Sequence, residues 1–216
     1  MKVIEKFISI NGEGLKQGEL AVFIRFMGCN LRCPYCDTKY SYINPKWEEL
    51  SVSDLVSFIE STKIRNITLT GGEPLIEEDI DKLINELSKL NYNIELETNG
   101  AVDIKKYVGL KGVSFTLDYK VPSSLMEDKM LVSNYKYLTK NDVVKFVVQD
   151  KNDLDKMKEI IEKYDLVNIC NPFVSAVFGK IELRQIVDYL KDNLLNGVRL
   201  QLQIHKFIWD SNKRGV

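Results

Sequence analysis

The strongest constraint on the fold is an alternation. Between residues 53 and 204, short runs of β-branched and aromatic residues alternate with longer stretches of helical periodicity. Residues 78–90 carry Ile80, Leu83, Ile84, Leu87 and Leu90 on one stripe, the spacing of an amphipathic helix. Ser53 is expected to cap an earlier helix running to Thr62. Asn152 is expected to cap a later one with Leu154, Met157, Ile160, Ile161 and Tyr164 inward, and 181–195 reads as the last. Strands are expected at 3–10, 21–27, 67–70, 93–97, 113–117, 142–148, 167–170 and 198–204. A weak helix falls near 103–107, and 119–134 reads as irregular. Strands alternating with helices in this way build βαβ units and a mainly parallel sheet with right-handed connections. About six such units are present, fewer than the eight of a closed barrel. The expected fold is therefore α/β: a partial (β/α)6-type barrel with mainly parallel strands, open on one side. No linker, repeat or low-complexity tract interrupts the 216 residues, so one domain over 1–216 is expected.

In parallel α/β sheets, ligands bind at the carboxyl ends of the strands, and each expected strand here stops at a chemically marked loop. Strand 21–27 runs into Gly28-Cys29-Asn30-Leu31-Arg32-Cys33-Pro34-Tyr35-Cys36-Asp37-Thr38, with three of the four cysteines spaced C-x3-C-x2-C. Three thiolates on one short loop, 28–38, can wrap one side of a [4Fe–4S] cube. Such cubes normally take four Cys, so Cys29, Cys33 and Cys36 leave one iron open to a small molecule. A Cys3His zinc site completed by His205, the one histidine, is the competing reading. The fourth cysteine, Cys170, is expected to be a buried apolar residue of a strand. Strand 67–70 ends at Gly71-Gly72-Glu73-Pro74, 93–97 at Thr98-Asn99-Gly100, 113–117 at Asp118-Tyr119-Lys120, and 167–170 at Asn171-Pro172.

Composition removes several classes. A net charge of −1 gives no global attraction to nucleic acid or to an anionic membrane. No apolar run approaches the roughly 18 residues of a membrane span. The first residues lack the apolar core of a signal peptide, so a cytoplasmic protein with reduced thiols is expected.

The C-x3-C-x2-C loop followed by Gly-Gly-Glu-Pro resembles the radical S-adenosylmethionine (SAM) enzymes. The resemblance implies a [4Fe–4S] cluster on Cys29, Cys33 and Cys36, with SAM at its open iron. Gly72 and Glu73 would then receive the methionine end of the cofactor, Glu73 accepting from its ammonium, and Tyr35 would face its adenine. A reduced cluster and SAM supply a 5′-deoxyadenosyl radical, which abstracts hydrogen from the substrate.

A closer resemblance spans almost the whole chain. Asn11-Gly12-Glu13-Gly14, Phe23-Ile24-Arg25, Cys36-Asp37-Thr38, Thr70-Gly71-Gly72-Glu73-Pro74, Glu97-Thr98-Asn99-Gly100, Asp118-Tyr119-Lys120 and a tail from Gln203-Ile204-His205 to Val216 resemble the 7-carboxy-7-deazaguanine synthase family. Asn11 departs from it, because glutamine is commoner there. The resemblance implies ring contraction of 6-carboxy-5,6,7,8-tetrahydropterin with release of ammonia, in queuosine and 7-deazapurine biosynthesis. It implies substrate contacts from Ile10, Asn11, Gly12, Glu13, Arg25, Thr70, His205 and Val216, with Arg25 gripping the carboxylate as a fork and Trp209 closing beside the tail. It implies SAM contacts from Tyr35, Cys36, Asp37, Gly72, Glu73, Asp118, Tyr119, Lys120 and Asn171. It also implies Mg²⁺ on Thr38, a flavodoxin or ferredoxin as electron donor, and a homodimer.

Two other functions remain open at this stage. A glycyl-radical enzyme activase shares the cysteine spacing but would need an exposed groove for a polypeptide. A zinc-stabilised, non-catalytic binding module would have no use for Gly-Gly-Glu-Pro or Arg25.

Overall fold

The computed structural model describes residues 1–211 and 213–216. Nine strands run in chain order: β1 (Lys2–Ile10), β2 (Leu20–Phe26), β3 (Glu48–Glu49), β4 (Asn66–Gly71), β5 (Asn93–Thr98), β6 (Val113–Tyr119), β7 (Val143–Val148), β8 (Asn171–Ala176) and β9 (Arg199–Leu200). The helices are α1 (Val52–Thr62), α2 (Ile80–Lys89), α3 (Lys151–Lys163), α4 (Leu166–Ile169), α5 (Leu183–Asp192) and α6 (His205–Ile208). All strands join one sheet in the order β3-β1-β2-β4-β5-β6-β7-β8-β9. From β2 to β9 every pairing is parallel, and β1 runs antiparallel to both β2 and β3. The sheet does not close, as the alternation predicts.

Alternate residues of the central strands serve two faces. Ile67 and Leu69, Ile94 and Leu96, Phe115 and Leu117, and Val144 and Phe146 are buried in the apolar core. Ile80, Leu83, Ile84 and Leu87 of α2 pack in the same core. Each such side chain contributes about 2 kcal/mol of transfer free energy. The opposite parity carries Thr68, Thr70, Glu95, Glu97, Thr116, Asp118 and Lys145. A closed barrel fills this inner face with apolar layers. Here it is polar, so the concave side of the sheet is built to hold something other than its own side chains.

Four elements differ from the sequence expectation. Ser51, not Ser53, caps α1: its side chain accepts from Asp54 N and Asp54 accepts from Ser51 N, a reciprocal capping box. Asp150, not Asn152, caps α3 by accepting from Asp153 N. Residues 167–170 are not a strand. Leu166–Ile169 forms the single turn α4 after Asp165 in the left-handed region, and the strand begins at Asn171. The last strand shrinks from 198–204 to Arg199–Leu200. The irregular reading of 119–134 holds, as this stretch is a series of 3₁₀ turns. Cys170 is buried, but caps α4 instead of lying in a strand.

Candidate active site

The loop after β2 carries Cys29, Cys33 and Cys36 as free thiols. Two contacts fix its course. Gly28 N donates to Ser41 O at 2.9 Å, and Glu73 N donates to Gly28 O at 2.8 Å. The Gly71–Gly72 turn lies so close beneath this loop that a Cβ on Gly72 would collide with Gly28 O, and one on Gly71 would sit 2.5 Å from Phe26 O. That close approach explains the glycine pair. Cys29 Sγ accepts from Leu31 N at 3.4 Å and Asn99 Nδ2 at 3.7 Å. Burial pushes the Cys33 and Cys36 thiols up, with Lys120 opposing this at both. The cation is thus placed to favour thiolates. Among the described residues, no three His, Cys, Asp or Glu side chains converge as one metal ion would need. His205 lies against Gly12, where an added Cβ would collide with its Nδ1. The Cys3His zinc reading finds no support in this arrangement. A cubane, with separate iron corners, does not require its thiolates to converge.

The three cysteines open into a cavity of about 640 Å³ on the inner face of the sheet. Ile10, Gly12, Glu13, Arg25, Thr70, His205 and Val216, expected around the substrate, line it. So do Tyr35, Asp37, Gly72, Asp118 and Lys120, expected around SAM, and Thr38. The cavity is within the size range of small-molecule sites.

Four expected contacts are corrected. Asn11 is buried and does not line the cavity; its Oδ1 accepts from Thr68 Oγ1 at 2.8 Å, while its Nδ2 has no hydrogen-bond partner among the described residues. Glu73 is 0 % exposed. Its oxygens accept from Leu75 N, Thr98 Oγ1 and Asn99 N at 3.0, 2.9 and 2.7 Å. It therefore ties two strand-end loops together and does not reach into the cavity, and burial pushes its carboxyl up to about 7. Tyr119 has the opposite strand parity to Asp118. Its ring packs on Phe146 and its hydroxyl donates to Glu127. Asn171 opens β8 instead of ending a strand, and donates to the carbonyls of Lys140 and Asp142. It therefore lies at the end of the sheet away from the cysteines. Trp209 does not line the cavity.

Ion pairs organise the interior. Arg25 Nε donates to Glu5 Oε2 at 3.0 Å across the β1–β2 ladder, and Tyr40 donates to the same oxygen at 3.1 Å. This bond uses Nε and leaves the terminal fork for a carboxylate. Burial opposes the Arg25 charge, but Tyr40, Glu5 and Glu97 together hold its pKa raised. Lys145 Nζ lies 3.3 Å from Glu13 Oε2 and 3.5 Å from Asp118 Oδ1, and Lys120 pairs with Asp118. Burial works against the Lys145 charge too, yet Asp118, Glu13 and Glu97 keep its pKa well above the ordinary lysine value. Burial pushes the Glu97 carboxyl up, against Lys145, and pulls His205 down, toward neutral imidazole. At the mouth, Lys206 pairs with Asp37 at 3.1 Å and Arg214 stacks on Tyr40 at 3.6 Å. The tail thereby forms one wall.

Lys145 is a cavity residue that motif reading passed over, and Glu97, though it opens the Glu97-Thr98-Asn99-Gly100 motif, carried no assigned role. The signal was available. Each is a charge inside an apolar strand, Ile94-Glu95-Leu96-Glu97 and Val143-Val144-Lys145-Phe146, and burying an unpaired charge there is costly. The same reasoning applies to Arg25 within Val22-Phe23-Ile24-Arg25-Phe26.

Comparison with known proteins gives the family. Residues 23–164 match the Radical SAM superfamily. The 7-carboxy-7-deazaguanine synthase of Clostridium acetobutylicum is 51% identical, over 100% of this chain and 99% of its own. The enzyme of the same name from Leptospira interrogans is 37% identical, over 99% and 97%. The crystal structure of QueE from Escherichia coli superposes with a TM-score of 0.72 at 20% identity, covering 92% of each chain.

Proposed function

The chain belongs to the 7-carboxy-7-deazaguanine synthases of the radical SAM superfamily, and we infer that it contracts the ring of 6-carboxy-5,6,7,8-tetrahydropterin to 7-carboxy-7-deazaguanine with release of ammonia. The observation that carries the reading is a pairing inside one cavity. Arg25, anchored by Glu5, and Glu13, whose Oε1 is buried with no hydrogen-bond partner among the described residues, share it with the three thiols. A pterin acid offers a carboxylate to the first and N–H donors to the second.

The residues present fit the family's cofactors: three free thiols on one loop, and a glycine turn packed so tightly against it that no side chain could intervene. When bound, the [4Fe–4S] cluster on Cys29, Cys33 and Cys36 and SAM supply the 5′-deoxyadenosyl radical that removes a substrate hydrogen. The chain itself positions and shields. Arg25 holds the carboxylate, Glu13 and Glu97 face the ring N–H groups, and Lys145 holds Glu13 and Asp118 in register. Thr70 and His205 complete the substrate side of the cavity. Tyr35, Cys36, Asp37, Gly72, Asp118 and Lys120 form the cofactor side. The tail excludes water, which a radical site requires.

Thr38 and Asp37 place a hydroxyl and a carboxylate side by side, Oγ1 donating to Oδ1 at 2.9 Å. A hard ion such as Mg²⁺, which keeps most of its waters, suits such oxygen donors. The substrate carboxylate would complete its shell. Residues 1–216 are read as one catalytic domain, cytoplasmic and homodimeric, reduced by a flavodoxin or ferredoxin. No helix among the described residues is long and apolar enough to cross a membrane. The activase reading finds no support in the relatives.

The test is anaerobic turnover of the reconstituted protein with 6-carboxytetrahydropterin, SAM, reductant and Mg²⁺, scored by product mass. Formation of 7-carboxy-7-deazaguanine, lost in Cys33→Ala, is expected. 5′-Deoxyadenosine without deazaguanine would leave the radical chemistry standing and overturn the substrate.

A further inference from the structure

A second cavity, of about 300 Å³, lies at the other end of the strands, where β6 and β7 begin, lined in part by Ser114, Val143, Lys16 and Glu95. Thr116 lines both this cavity and the substrate chamber. Its Oγ1 donates to Glu95 Oε1 at 2.6 Å. Glu95 is only 5 % exposed, and its Oε2 has no hydrogen-bond partner among the described residues. The loop after β1 forms a wall of both spaces. Glu13 reaches into the chamber, Gly14 lies over Glu95 so closely that a Cβ would strike its carboxylate, and Lys16 faces the lower cavity. A buried carboxyl that gives one oxygen to Thr116 and leaves the other idle, at the junction of two cavities, calls for a role beyond the scaffold.

We propose that the lower cavity is the outlet for the ammonia formed in the chamber, and that Glu95, with Thr116, is the proton-donating gate between the two spaces. This rests on the ammonia-releasing reaction inferred above. That reaction conserves atoms: the substrate is the sum of deazaguanine product and ammonia, with no net redox change. Ammonia is the one product small enough to leave beneath the substrate while the tail still covers the mouth. At the gate the Glu95 carboxyl gives its proton to ammonia, leaving carboxylate and ammonium. Ammonium passes down, and a proton from bulk solvent returns to Glu95 through water in the lower cavity, so each cycle exports one ammonia together with one solvent proton. The charged groups around Glu95 suit that cycle. Burial and the neighbouring Glu97 hold its carboxyl up at about 7, while Thr116, Lys16 and Lys145 limit the rise, so both forms are accessible near neutrality.

The test compares wild type, Glu95→Gln and Ser114→Leu, the last placing a plug at the lower mouth without touching the chamber. Steady-state and single-turnover formation of 7-carboxy-7-deazaguanine are measured in ammonium chloride against potassium chloride of equal strength. Wild type is expected to be inhibited by ammonium, and Glu95→Gln to need at least about tenfold more for the same effect. Both variants are expected to lose fivefold or more in steady-state rate while the first turnover keeps its rate. Steady-state rates within twofold of wild type for both variants, with unchanged ammonium inhibition, would overturn the outlet alone. Wild-type protein that makes no deazaguanine would instead overturn the reading on which it rests.

Discussion

Arg25 sits within Val22-Phe23-Ile24-Arg25-Phe26, where a cation without a partner would cost several kcal/mol. Glu5 answers that cost across the strand pair without occupying the whole fork. A lysine keeps the charge but cannot bond Glu5 and a carboxylate at once. Arg25→Lys is therefore expected to lower kcat/KM for the pterin about 10- to 100-fold, corresponding to one lost charge-assisted bond. SAM cleavage without substrate should stay unchanged, and steady-state kinetics on both reactions checks this. Glu95 gives a pH prediction. Its folded value of about 7 lies above the ordinary carboxyl value of 4.5. A carboxyl raised in this way favours the fold most below 4.5 and loses that contribution as pH rises through about 7. Thermal unfolding of the cofactor-free chain at pH 5 and pH 8 should show Glu95→Gln gaining on wild type as pH rises. The difference is on the order of 3 kcal/mol. A Tm difference that does not change with pH would count against it.

Among the elements, the two strand-end loops that meet at Gly72 make a sharper case. Gly72→Ala must push the glycine turn away from Gly28 and Cys29. The cluster loop should then fail to hold its metal. Reconstituted iron and the cluster's visible absorbance are expected to fall by more than half. By contrast, Gly109→Ala is expected to leave both unchanged: a Cβ there meets nothing, and the strain of an alanine at φ 80° costs stability away from the cluster loop. The same loops show what was legible in the sequence. The strands that end at the cysteines, at Gly-Gly-Glu-Pro and at Thr98-Asn99-Gly100 could be read because each couples an apolar run to a loop of distinct chemistry. The β8 region could not. Leu166-Val167-Asn168-Ile169-Cys170 looks like a strand, and Pro172 looks like its terminator. Instead Asp165 adopts φ 50° and starts a helical turn, while Pro172 lies inside the ladder opposite Val144. Asn171 N bonds Asp142 O on the β7 side, so the missing N–H of Pro172 faces β9, whose pairing starts only at Phe173. Edge geometry of this kind is decided by the neighbouring strand, which local sequence does not contain. The displaced strand carried Asn171 away from the cofactor. Glu73 failed for a related reason: a motif residue at the right loop can spend its polar atoms on the scaffold, as the Asn11 Oδ1, but not its Nδ2, also does.

At the scale of the whole molecule, the chain's last segment returns to its beginning. Lys206 reaches Asp37 on the cluster loop, Arg214 stacks on Tyr40, and Tyr40 bonds the Glu5 that orients Arg25. Lys206 is the more enclosed partner, at 9 % exposure against 62 % for Asp37. The crowded site opposes the Asp37 charge, but Lys206 and the Thr38 hydroxyl hold its carboxyl down at about 2. The Asp37 carboxylate therefore stays charged at any pH where the enzyme works. A pair whose carboxylate is this exposed adds about 1 kcal/mol to stability, so its value must lie in where it holds the tail. Lys206→Met keeps much of the apolar stem and removes the charge. It is expected to lower Tm by only a few degrees. Yet the tail should cover the radical site less completely, letting water and reductant compete with the pterin. The measurement is the ratio of 5′-deoxyadenosine to 7-carboxy-7-deazaguanine under saturating substrate, with a several-fold rise expected. Asp37→Asn should raise it similarly, and the double variant should add little, because both remove the same contact. A ratio at the wild-type value in all three would mean that the tail is held without this pair, by other contacts such as that of Arg214 on Tyr40.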